Sequence, residues 1–159
     1  MVKIIRARQP LCRAINKKLS VVGQYASCYF TVNDIEYCLD IPTGFVFDGA
    51  SIPRAVWGIL GLAPHGVMDG PGLVHDFCYH YKGDFPSGSY WIKDVTGVWY
   101  RCSVPMSKPT SDELLKELCL HHKACGEFKA SLVWSGVAAF GIFAWNSNDE
   151  ERKEILYKG

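Results

Sequence analysis

The chain is short of net charge of either sign. Seventeen lysines and arginines face 16 aspartates and glutamates over 159 residues. That balance gives no electrostatic footprint for nucleic acid or an anionic membrane, so neither is expected as a partner. Paired cysteines are missing too: the seven cysteines are odd in number and contain no C-x-x-C. Cys119, His121, His122 and Cys125, with Cys78 and His80 elsewhere, match no common zinc-ligand spacing, so zinc is not expected. The opening MVKIIRARQPLCRAINKK lacks the apolar run and small-residue cleavage site of a signal peptide. Synthesis in a cytoplasm with reduced thiols is the expectation, and later disulfide formation in an extracellular particle stays open. A membrane-length apolar run is also lacking: ASLVWSGVAAFGIFAW at 130–145 is 16 residues, under the roughly 18 that argue for a span. A buried helix is expected there and no transmembrane span, with Gly136 and Gly141 admitting another backbone. There is no internal repeat and no low-complexity linker.

What is present suits one packed domain. Nearly half the residues, 48%, are apolar, enough for a core at this length. Residues 2–7, 19–22 and 27–32 have the β-branched and aromatic content of strands, with Gly23 as a break. Asn33-Asp34 turns the chain back into a hairpin partner at 35–41, and Pro42-Thr43-Gly44 leads into Phe45-Val46-Phe47. A short helix at 54–60 is expected with Trp57 as its anchor, then a helix opened by Asp69-Gly70-Pro71. Residues 89–95 and 98–104 flank Thr96-Gly97 as an inserted hairpin. Thr110 with Glu113 reads as a capping box opening a helix that runs to Cys125 and stops at Gly126. The expected class is α+β: antiparallel strands, then three main helices with an inserted hairpin. Its segments are 1–47, rich in strand, 48–88 with the motif loop and the His-Asp helix, the hairpin 89–104, the helical pair 110–146 and a charged tail, 147–159.

Chemistry concentrates in residues 41–81 and on the helix after the hairpin. His75 and Tyr79 are four apart and share a helix face, with Asp76 about 100° round. Asp112 opens the inward stripe of the later helix, with Leu115, Leu118, Cys119 and His122. Together they allow a hydrolytic dyad: His75 as general base, Asp112 fixing its tautomer, Tyr79 holding Asp112. Asp76 and Asp48 are then candidate ligands for a cation such as Ca²⁺. A second reading stays open at this point, in which His75, Asp76 and Asp48 form a buried polar network that fixes the core. Ser51 reads better as a helix cap than as a nucleophile.

Two resemblances follow from these residues. Gly44-Phe45-x-x-Asp48-Gly49-Ala50-Ser51-Ile52-Pro53-Arg54, a following Trp57 and His75-Asp76-x-x-Tyr79 resemble a family of unknown function common in bacteriophage and prophage genomes, over about 35–145. That resemblance implies a virion- or tail-associated protein, with other virion or tail proteins and the bacterial envelope as partners. His75-Asp76-x-Cys78-Tyr79 followed by Asp112 resembles the active-site arrangement of the phospholipase A2 superfamily. It implies His75 activating water, Asp76 binding Ca²⁺, Asp112 supporting the histidine, and hydrolysis of an ester, lipid or envelope bond. No Y-x-G-x-G loop precedes the helix, and the strand-rich first third has no counterpart there.

Overall fold

Short β-branched and aromatic segments pair antiparallel to build the first half of the chain. The computed structural model describes residues 1–15, 19–47, 58, 61 and 66–146. Five strands form the main sheet: β1 (Val2–Ala7), β4 (Ala26–Val32), β5 (Ile35–Ile41), β7 (Tyr90–Lys93) and β8 (Trp99–Arg101), in the order β1-β4-β5-β7-β8. Among the described residues three more, β2 (Cys12–Ala14), β3 (Ser20–Val22) and β6 (Val46–Phe47), form a smaller sheet in the order β2-β3-β6. Asn33 and Asp34 both take positive φ, 49° and 68°, as a two-residue primed hairpin turn requires. That turn sets Val32 opposite Ile35 and Cys28 opposite Leu39. In this register Cys28, Phe30, Leu39 and Ile41 all face the core, whereas a one-residue slip would reverse every side chain.

The hairpin expected at 89–104 forms with two differences. Its strands are shorter, and the turn is a five-residue loop at 94–98 instead of Thr96-Gly97 alone. Asp94 explains the length: its Oδ1 accepts from Thr96 N at 2.8 Å, Thr96 Oγ1 at 2.7 Å and Val98 N at 2.9 Å. Nor is the hairpin a separate insert, because Tyr37 and Leu39 of β5 pair with Ile92 and Tyr90 of β7 and lengthen the main sheet.

Three helices follow the first six strands among the described residues: α1 (Asp69–Tyr81), α2 (Lys108–His121) and α3 (Glu127–Asn146). α1 ends where Lys82 turns left-handed, φ 52°. α2 starts earlier than the Thr110 capping box predicts. Ser107 is the cap, its Oγ accepting from Thr110 N at 3.2 Å. Glu113 is drawn away to accept the Val2 N–H at 3.0 Å, tying α2 to β1. The helix stops at His121, short of Cys125, and Lys123 turns left-handed after it. The main core lies between the sheets and α1 and α2, where Phe30, Leu39, Phe77, Leu114 and Leu118 are each fully buried. Burying a side chain of that size contributes about 1.5–3 kcal/mol.

α3 departs furthest from expectation. It is not a buried helix. Ala130, Val133, Val137 and Gly141 are its buried residues, packed with Met68, Leu115 and Cys119. Phe128 and Phe143 are each 77% exposed and Phe140 is 63% exposed. The segment is apolar on all sides, so the sequence does not say which face turns inward; in the fold it is the face of Ala130, Val133, Val137 and Gly141. At 20 residues and mean hydropathy 1.3, α3 is long and apolar enough, by length and composition, to cross a membrane. Asp48, Ser51, the helix expected at 54–60 with Trp57 (residue 58 apart) and the tail 147–159 lie outside the described residues.

Candidate functional site

Helical spacing brings the predicted residues together. His75 and Tyr79 stand one turn apart on α1, their rings 4.1 Å apart between centroids. Lys108 and Asp112 stand one turn apart at the start of α2. His75 Nε2 lies 3.2 Å from Asp112 Oδ1, and the Tyr79 hydroxyl donates to the same oxygen at 2.6 Å. Lys108 Nζ donates to Asp112 Oδ2 at 2.7 Å and to the Val137 carbonyl of α3 at 3.0 Å. One carboxylate therefore takes three donors from two helices, and the lysine passes the connection to the third.

The electrostatics follow from that geometry. Burial alone would raise the Asp112 carboxyl, but hydrogen bonds from His75, Lys108 and Tyr79 outweigh it and hold the pKa below its usual value. Ionised, the carboxylate can only accept, so the histidine presents N–H at Nε2. Burial, then the Asp112 hydrogen bond and charge, push the Tyr79 phenol upward, so it stays protonated as the donor.

Gly141 and Trp145 of α3 complete the cluster. A Cβ at Gly141 would overlap the Tyr79 hydroxyl and come 3.4 Å from Lys108 Nζ. The glycine thus admits a side chain, not the neighbouring backbone expected from its position. Trp145 meets the Tyr79 ring edge-on at 5.0 Å. Lys108, Gly141 and Trp145 were missed as members. The Lys-x-x-x-Asp spacing was a signal for the first; the others become visible only once α3 is placed.

Solvent does not reach the dyad. His75 is 1% exposed, Asp112 2% and Asp76 0%. A cavity between the β1–β2 and β3–β4 links, and a smaller one beside Leu73, Val74 and Leu118, are lined by other residues. Asp76 is buried with interactions of its own. A hard cation such as Ca²⁺ wants six to eight oxygens. Among the described residues no three histidine, cysteine or acidic side chains gather as a metal site, and Asp48 lies outside them. Cys119 sits in the α2–α3 contact with its sulfur 4.0 Å from that of Met68. Cys78 lies 3.7 Å from the Met106 sulfur, and burial raises its thiol to about 12.

A family model described as a protein of unknown function (DUF1353) matches residues 25–137, from the end of the β3–β4 link into α3. The match includes His75, Asp76, Tyr79, Lys108 and Asp112. No curated protein and no solved structure matches the chain.

Proposed function

This chain belongs to the DUF1353 family, and on its own geometry we propose that it is a non-catalytic assembly component that docks through α3. The observation that carries this reading is the outward face of α3, where Phe128, Phe140 and Phe143 stand more than three-fifths exposed. Large exposed apolar surface on a folded domain marks a contact with another molecule. Ser135, Ala138 and Ala139, also exposed, lie between the aromatics and permit close approach of a protein backbone, which favours protein over lipid as the cover. The His75–Asp112 network belongs to the same reading. Through Lys108 to Val137, and through Tyr79 to Gly141 and Trp145, it fastens α3 to the domain with that face turned out. The resemblance to phage proteins suggests virion or tail subunits as partners, copies of this chain among them.

Sedimentation velocity of the wild type and of Phe140→Lys/Phe143→Lys tests this in detergent-free buffer. The expected result is a concentration-dependent oligomer for the wild type and a monomer for the variant at an unchanged unfolding temperature. A wild type that stays monomeric contradicts docking on copies of this chain, and one that turns monodisperse only on lipid vesicles contradicts docking on protein.

A second reading has a specific observation behind it. An imidazole oriented through Nε2 by a carboxylate that also takes a tyrosine hydroxyl is the support a histidine general base uses. Under this reading His75 would activate water against an ester or lipid bond, as in the phospholipase A2 superfamily. Ester and phospholipid turnover by the wild type, lost in a folded His75 variant, would establish it. The 1% exposure of His75 places it second.

A further inference from the structure

The balanced net charge conceals a one-sided start. Lys3, Arg6, Arg8, Arg13, Lys17 and Lys18 precede the first acidic residue, Asp34. Two of these basic residues line a cavity of about 380 Å³, within the ordinary size of small-ligand sites. The cavity lies where the two sheets separate. One wall is the link from β1 to β2, the other the link from β3 to β4, and Tyr29 and Ser27 of β4 complete the lining.

We propose that this cavity binds a phosphate-bearing ligand through Arg6 and Arg8. Arg6 lies within β1 and Arg8 one residue past its end, and both line the same cavity. A register shift between Ile4 and Arg6 sets Arg6 opposite Tyr29, and bulges of this kind re-aim side chains. The Arg6 guanidinium then lies 4.3 Å from the centroid of the Tyr29 ring. Stacking of this sort holds the fork in place with its N–H donors still available.

Neither arginine forms an ion pair with a described residue. Asp40, the carboxylate behind Ser27, is already taken by Ser27 Oγ at 2.7 Å and Trp91 Nε1 at 2.9 Å. The walls are fixed before any ligand arrives. Gln9 donates to the Val67 carbonyl at 2.7 Å and accepts from Gly70 N at 2.9 Å. Leu11 O accepts from Gly23 N at 2.7 Å. Two guanidiniums, with the Gln24 amide beside them, offer more donors than the two oxygens of a carboxylate can take. A phosphate, with three or four oxygens, matches that number.

The test is a titration of the full-length ¹⁵N-labelled chain with inorganic pyrophosphate at constant ionic strength, read by amide shifts. A second arm measures cosedimentation with phosphatidylcholine vesicles containing phosphatidic acid, which separates a lipid headgroup from a free phosphate. Saturable shifts confined to 6–11 and 24–29, weakened about tenfold or more in Arg6→Gln/Arg8→Gln and kept in Lys3→Gln, are expected. Vesicle binding with the same variant pattern and no pyrophosphate response would assign the phosphate to a lipid. Arg6→Lys/Arg8→Lys, which keeps the charge and loses the forks, should bind with intermediate strength and serves if the glutamine variant fails to fold. Unsaturable shifts, or equal weakening by Lys3→Gln, overturn the proposal. The basic residues would then only guard an edge strand against pairing with another sheet.

Discussion

Asp112 is the residue on which three side chains converge, and its charge state should be visible in stability. Its folded pKa is depressed, so its contribution is fully present above the unfolded value of about 3.9 and is lost as pH falls through the lower folded value. Urea unfolding as a function of pH should therefore show an acid limb that is shallower in Asp112→Asn. An unchanged limb would mean that the carboxylate is not held ionised by His75, Lys108 and Tyr79. Gly141→Ala should cost about 1–3 kcal/mol, because the added methyl meets a Tyr79 hydroxyl already committed to Asp112. Thermal unfolding checks this, and Gly141→Ala combined with Tyr79→Phe should recover part of the loss. The contact among His75, Tyr79 and Asp112 was legible because four-residue spacing puts side chains on one helix face and Asp112 shares a stripe with leucines. Burial was not legible, since no pattern in a sequence states which loop or helix covers a given side chain.

At the scale of elements, capping and turn chemistry gave the better guide where one residue dominates. Asn33-Asp34 and the helix start near Asp69 followed from residue type. The start of α2 did not, because Ser107 competes with Thr110 for the cap and Glu113 finds a distant N–H on β1. Gly83 closes α1 with φ 76° and its N–H on the Cys78 carbonyl, and its own carbonyl receives Met106 N at 3.0 Å. A Cβ there would overlap the Met106 backbone. Gly83→Ala should cost about 1–3 kcal/mol in chemical denaturation, since neither the φ nor the clash can relax cheaply. α3 was legible as a helix and misread as to burial. Its large residues point outward, and a uniformly apolar segment carries no periodic signal to say so.

For the whole molecule, the α+β class followed from strands preceding helices. The strand order did not, because the β7–β8 hairpin joins β5 across the chain that includes α1, a long-range pairing that local patterns do not encode. The helices are joined to one another by a polar cluster sealed inside them, and the account turns on what that cluster does. The direct measurement is equilibrium urea unfolding of His75→Ala beside the wild type, with ester and phospholipid turnover read on the same preparations. A structural network predicts a stability loss of about 1–3 kcal/mol from the unpaired partner, and no turnover by either protein. Turnover by the wild type, abolished in a variant that unfolds at the same urea concentration, would contradict it.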